Sequence, residues 1–263
     1  MARAIWNGVI AFGMVSIPVG ISPATQEKDV SFNQIHKKCN SRIKQKKTCP
    51  TCNVEVASEE IVKGYEYAKG QYVIMDPEDF ENLPVPSTQK IEVTQFVDAA
   101  TIDPVYFDKA YYLNPSSAGM KPFTLLYKAL ESKGVSAVGK VAIRSKEVLC
   151  LIRASHGSLI LNTLFWPDEI REVPVAKLDE AEANPAEMMM AQGLIDLLYG
   201  EFKPGDQEDG YRTALLERIE AKATGGKIVT MAAPEAEDRV FNLMDALKAS
   251  LEQVKQQKAS GDA

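Results

Sequence analysis

Residues 4–19 alternate apolar positions with small or polar ones, punctuated by Gly8, Gly13 and Pro18. The pattern predicts two short strands with a turn or bulge at the glycines. Similar runs predict strands over residues 29–35, 71–75, 90–97, 110–113, 140–144, 147–153 and 159–165. Helical spacing is rarer in this half. Asp76-Pro77-Glu78-Asp79 has the form of a helix start, with Asp as N-cap and Pro at the first helical position. Residues 121–132 place Phe123, Leu126, Tyr127 and Leu130 on one helix face. Ser155-His156-Gly157-Ser158 reads as a hairpin turn. Many short strands and few helices up to about Phe165 predict an antiparallel barrel or sandwich.

The pattern then changes. Residues 168–187 hold seven acids together with Pro174 and Pro185, as an exposed connector would. Asn184-Pro185-Ala186-Glu187 opens a helix, with an N-cap, a proline at N1 and a glutamate at N3. It is expected to run to about Tyr199, and a second helix covers roughly 209–223. After Gly225-Gly226 and Pro234 a third follows, to about Lys255. Its stripe of Val240, Phe241, Leu243, Met244, Leu247, Leu251 and Val254 suits either the protein's own body or a partner's groove. The Met188-Met189-Met190 helix suits either a core or a dimer seam filled by adaptable side chains.

Composition narrows the class. The 263 residues are 45% apolar and 25% charged, which fits a globular chain and argues against disorder or fibre. No apolar run is long enough to span a bilayer, and the first residues lack the apolar core of a signal peptide. The expected location is cytoplasmic. Net charge is −6, but it is unevenly spread: residues 1–153 carry +3 and residues 154–263 carry −9. Within residues 33–54 stand six cations (Lys37, Lys38, Arg42, Lys44, Lys46 and Lys47) and no acid. Fields act locally, so this patch matters more than the net charge. Were residues 42–47 an extended strand, Arg42, Lys44 and Lys46 would share a face at intervals of about 6.8 Å, near the spacing of phosphates along one DNA strand. The bland reading is a solvated hairpin kept soluble by its lysines. A second basic group, Lys140, Arg144, Lys146 and Arg153, has a stronger bland reading as charges at strand ends.

The same segment holds three of the four cysteines. Cys49-x-x-Cys52 can present two thiolates on one turn to a tetrahedral ion at about 2.3 Å, and His36-x-x-Cys39 could complete the set if the chain folds back between them. Zinc in a closed, structural site is one reading; reduced unliganded cysteines and a redox pair are the others. Cys150 lies in an apolar strand and reads as packing. Catalytic constellations are missing: no phosphate-binding loop, no nucleophile elbow, no H-E-x-x-H, and only two histidines. The chain is expected to bind rather than to catalyse.

Ala4-Ile5-Trp6-Asn7-Gly8 with Phe12-Gly13, Cys49-Pro50-Thr51-Cys52, and Glu60-Ile61-Val62-Lys63-Gly64-Tyr65-Glu66-Tyr67 resemble the bacterial Ku family. So do Asp103-Pro104-Val105-Tyr106-Phe107, Ile143-Arg144-Ser145-Lys146 and Leu243-Met244-Asp245-Ala246-Leu247, in order along nearly the whole chain. The resemblance implies a mixed β/α fold: a β-barrel core of the Ku, SPOC-like kind over residues 1–167, with a basic bridge hairpin at about 30–60. It further implies a helical dimerisation arm over 168–225 and a ligase-recruiting helix and tail over 226–263. The implied function is a homodimeric ring, threaded by double-stranded DNA ends without regard to sequence, in non-homologous end joining. The implied partner is the multifunctional ATP-dependent DNA ligase. By the same resemblance, residues 37–47, Lys63, Arg144 and Lys146 would face DNA, and Val240, Leu243, Met244, Leu247 and Leu251 would meet the ligase. A zinc requirement is not implied. The lysine-rich extension of some members has no counterpart after Lys258, so binding is expected to rest on the core. The competing readings are a zinc-ribbon transcription or RNA-binding factor, which would need base contacts or stacking, and a magnesium-dependent nuclease or phosphatase.

Overall fold

Burial in the first two strands follows the apolar pattern. In β1 (Trp6–Phe12) and β2 (Val15–Pro23), Ile10, Ile17, Val19 and Ile21 turn inward and are buried. The two pair antiparallel from Trp6↔Ile21 to Phe12↔Val15 around the turn at Gly13-Met14. The coordinates are a computed structural model, describing residues 3–81, 89–143, 146–173, 184–225, 247–248 and 250–252. They divide into two units, Met1–Lys28 with Phe32–Glu172, and Asp29–Ser31 with Val173–Ala263.

The first unit is built on a closed barrel of seven strands. Three short pieces lie outside it: β3 (Thr48–Cys49) with β4 (Val54–Glu55), the hairpin of β5 (Lys63–Ala68) and β6 (Gln71–Met75), and the short helix α1 (Pro77–Glu81). The barrel continues with β7 (Lys90–Val97), β8 (Phe107–Pro115), β9 (Ser136–Ile143), β10 (Lys146–Ser155) and β11 (Ser158–Leu164). Its order is β1-β2-β8-β11-β10-β9-β7, and β7 closes on β1 through a parallel pairing, Val9↔Lys90 to Ala11↔Glu92. Closure removes the free edges that an open sheet would expose.

Ile10, Ile17, Ile21, Ile91, Leu113, Val141, Cys150, Ile152, Leu159 and Leu161 form the core. Onto it helix α2 (Met120–Lys133) lays Phe123, Leu126 and Leu130, as its sequence periodicity predicts. Trp6 donates from Nε1 to the Ala142 carbonyl at 3.0 Å, satisfying the indole where it is buried. The β10–β11 turn is the expected one: Ser155 pairs with Ser158, and His156 and Gly157 both have positive φ (50° and 74°), as a two-residue type I′ turn requires.

The second unit contains α3 (Pro185–Leu198) and α4 (Gly210–Ala223). Asn184 Oδ1 accepts from Ala186 N–H at 3.0 Å, so α3 begins where its cap predicts, and Asp209 Oδ1 accepts from Arg212 N–H at 2.9 Å, capping α4 at the start of its expected span. Neither helix buries a residue. Most of the third expected helix lies outside the described residues; Leu247 and Leu251, which are described, are helical and half-buried.

The strand expected over residues 29–35 does not form. Only Ile35 is paired there, in an isolated bridge to Arg42, and without a neighbouring ladder the apolar alternation of that stretch has nothing to attach to.

Candidate nucleic-acid interface

Two loops of one design frame the cationic segment. In the first, residues 36–40, the N–H of Asn40 donates to the His36 carbonyl at 2.8 Å; in the second, residues 49–53, the N–H of Asn53 donates to the Cys49 carbonyl at 2.9 Å. Each loop ends on an asparagine at positive φ, 54° and 55°. Asparagine tolerates that left-handed conformation better than most residues. The turn brings its first and fourth side chains together, with His36 Nδ1 lying 3.0 Å from Cys39 Sγ.

Both loops favour thiolate. The Cys39 thiol lies below its ordinary value because the Ser41 hydroxyl, and then the Ser41 N–H, hydrogen-bond to the sulfur. The Cys49 thiol is lowered by the N–H of Cys52 first and that of Thr51 next. The donor set and the spacing fit a soft tetrahedral ion. Yet among the described residues no three His, Cys, Asp or Glu side chains gather as one metal-binding group. The four expected ligands therefore stand as two prepared pairs. Cys150, by contrast, is buried on β10, and desolvation pushes its thiol up to about 12.

All six cations of the segment are exposed. Arg42 donates to Asn33 Oδ1, and Lys46 pairs with Glu55 at 2.5 Å. That pair corrects the picture of a run without a local acid, since Glu55 stands one residue beyond the acid-free window. The face expected of Arg42, Lys44 and Lys46 has no paired strand to hold it. Residues 43–47 join no ladder, and the segment is tied instead by bonds such as Ile43 N–H to the Gln34 carbonyl at 3.0 Å. A period-two argument therefore does not decide which cations share a side.

The barrel cations are partly occupied by structure. Lys140 pairs with Glu147 at 3.4 Å and sits 5.3 Å from the centre of the Trp166 ring. Arg153 Nε donates to Asn162 Oδ1 at 3.0 Å. Lys63 lies 4.7 Å from the centre of the Phe80 ring. Lys146 is exposed at the start of β10, while Arg144 lies outside the described residues. So do Val240, Leu243 and Met244 of the expected partner-binding set.

Sequence reasoning missed β5 as a strand. Lys63, Tyr65 and Tyr67 alternate with Gly64 and Glu66, and Gly70 marks the turn, but the run lacks the aliphatic excess that signals a core strand. Every residue of β5 is exposed.

The family model for the Ku70/Ku80 β-barrel domain matches residues 11–190. The non-homologous end joining protein Ku of Symbiobacterium thermophilum is 43% identical over 262 residues, covering 98% of this chain and 65% of that protein. The protein of the same name from Desulfitobacterium hafniense is 40% identical over 99% of this chain and 91% of its own length. That from Bacillus subtilis is 37% identical, over 96% and 83%. Among solved structures, the SPOC domain of human PHD-finger protein 3 (PHF3) covers 62% of this chain at 14% identity with a TM-score of 0.31, a likeness too slight to argue from.

Proposed function

Starting from the chain's membership of the Ku family, we propose that it binds the ends of broken double-stranded DNA without reading sequence and holds them for non-homologous end joining. The observation that carries this reading is the exposed cationic segment of residues 37–47, in a chain aligned over nearly its whole length with proteins named for end joining. Lysine and arginine without base-reading partners position a duplex through its phosphates and carry no sequence information. The segment contains no aromatic residue, which disfavours the stacking that an RNA-binding or base-reading zinc ribbon would need. The role is that of a scaffold rather than an enzyme, acting at the nucleoid. Among the described residues no helix is long and apolar enough to cross a membrane.

The working form in this proposal is a homodimeric ring. Helix α3 is apolar along much of its length, yet Ile195 is 62% exposed and Leu198 64%, neighbours on one side of the helix and a surface that a second copy would cover. The ligase of bacterial end joining is recruited by residues 240–251. Zinc, held by His36, Cys39, Cys49 and Cys52, would close the two loops into a single staple; its part is structural, and the chain's own lysines do the binding.

The deciding experiment compares a duplex of roughly 40 bp with free ends, the same duplex capped by hairpin loops, and a closed circle, at about 150 mM salt. Tight binding to the free-ended duplex alone is expected, because ends must thread a closed ring. Equal binding to all three would replace threading by an open, side-on surface.

A further inference from the structure

Beside α2 the barrel wall carries a groove of about 480 Å³. Phe12 and Val15 flank it at the β1–β2 turn, Phe96 on β7, and Leu125 and Ala129 on α2; Lys133 is the one charged residue in the lining. Leu126 and Leu130, from the inward row of α2, floor the groove, while Leu125 and Phe96 stand on its open side. Leu125 is 70% exposed and Phe96 49%. Single exposed apolar side chains are ordinary, but a contiguous concave set of them marks an interaction site.

The rim is cationic. Lys121 and Lys128 line the shallow surface continuing from the groove past Leu125. The one carboxylate on α2, Glu131, is engaged by the Tyr127 hydroxyl, which donates to it at 2.5 Å.

We infer that this groove docks an amphipathic helix of a partner protein, one whose flanks carry carboxylates. The lining offers apolar side chains and an ammonium, hence little to pair with the N–H and C=O groups of an extended peptide; a helix satisfies those groups internally. Along α2 the lining runs from Pro122 to Lys133, roughly 16 Å, long enough for apolar anchors at i, i+4 and i+7. Three lysines with no free carboxylate on their helix select an acidic flank. The inference lies beyond the DNA-end reading and does not depend on it.

The test uses the full chain and a labelled synthetic helix of roughly 16 residues, with leucines at i, i+4 and i+7 and glutamates flanking them, beside the same peptide with lysines in place of the glutamates. By fluorescence anisotropy the glutamate peptide is expected to bind at least ~10-fold more tightly, and L125E to weaken it ~10-fold or more. Lys128→Glu with Lys133→Glu, which leaves the apolar lining intact, is expected to erase the preference for the acidic peptide. DNA-end affinity and sedimenting mass should not change in either variant. Equal binding of both peptides, or no effect of either variant, overturns the proposal. A change of sedimenting mass in L125E overturns it too, assigning the groove to a contact between copies of this chain.

Discussion

Lys46 donates to Glu55 at 2.5 Å, and Glu55 is the first carboxylate after the six-cation run. Glu55 pairs with Thr48 in the two-rung β3–β4 ladder, so this acid anchors the end of the cationic segment. The two side chains are 67% and 55% exposed, and such a pair is worth about 0–1 kcal/mol. A DNA phosphate can therefore displace the carboxylate at little cost. Glu55 holds the ammonium in place without withdrawing it from use.

Removing that carboxylate should then strengthen DNA binding. Glu55→Gln is expected to tighten end binding a few-fold at low salt, with a steeper salt dependence of up to about one further phosphate neutralised. Lys44→Glu with Lys46→Glu should weaken binding ~10-fold or more while the sedimenting mass stays that of the parent. Anisotropy titrations at three salt concentrations decide it. Unchanged affinity in the doubly reversed variant would remove this segment from the interface.

The twin loops make a second prediction. Protein prepared without chelator should carry about one zinc per chain, and Cys49→Ser or Cys52→Ser should abolish it. Alkylation then separates the thiols. With metal bound, Cys39, Cys49 and Cys52 should resist iodoacetamide, and with metal stripped they should react. Cys150, fully buried with its thiol raised to about 12, should resist in both states until the barrel unfolds. Substoichiometric metal with three thiols reactive throughout would mean that the loops hold reduced, unliganded cysteines.

The pairing of β7 with β9 contains a close backbone approach. A Cβ placed on Gly139 of β9 would lie 2.4 Å from the Glu92 carbonyl oxygen and 3.1 Å from Val93 Cα, beside the irregularity in β7 between Val93 and Gln95. Neither contact is a flexible side-chain end, so the strands must shift. Gly139→Ala is expected to cost roughly 1–3 kcal/mol in urea unfolding, as overpacking does in a well-packed core. Gly200→Ala, with open space around it, should be near neutral. Equal midpoints for the two variants would refute the tight packing.

Much of this was legible in the sequence, and the misses have physical causes. The expected bounds 71–75 and 90–97 coincide with β6 and β7, because Gly70 and Pro77 punctuate the first and Ile91 and Val93 alternating with Glu92 and Thr94 mark the second. The Asn184 cap and the expected span 209–223 placed α3 and α4 to within a residue. Residues 29–35 misled because alternation reports a capacity for pairing, while a strand needs a neighbour as well. The Cys49-x-x-Cys52 spacing was readable; the matching roles of Asn40 and Asn53 become plain only from their positive φ. The pairing of Lys46 with Glu55 is not legible from spacing, because nine residues and the 49–53 loop separate the two.

Dimerisation should depend on the uncovered face of α3. Ile195→Glu with Leu198→Glu places carboxylates on two exposed apolar positions, three residues apart, on one side of that helix. In analytical ultracentrifugation this variant is expected to shift toward monomer, with helix content by circular dichroism retained. DNA ends should then be held ~10-fold or more weakly, since half a ring does not enclose a duplex. An unchanged dimer would move the interface off α3.

The terminal segment offers the sharpest separation of functions. Its apolar stripe spans residues 240–254, of which Leu247 and Leu251 are helical and half-buried. If the stripe recruits the ligase, truncation after Thr230 should leave end binding within about two-fold of the parent while abolishing stimulation of end joining by the ligase. A single substitution, Leu247→Asp, should reproduce the loss, because a carboxylate in a buried helix–groove contact has no partner to offset its desolvation. Should the truncated protein instead lose DNA binding together with stability, the segment belongs to the fold. Stimulation that survives both changes would put the ligase contact elsewhere on the chain.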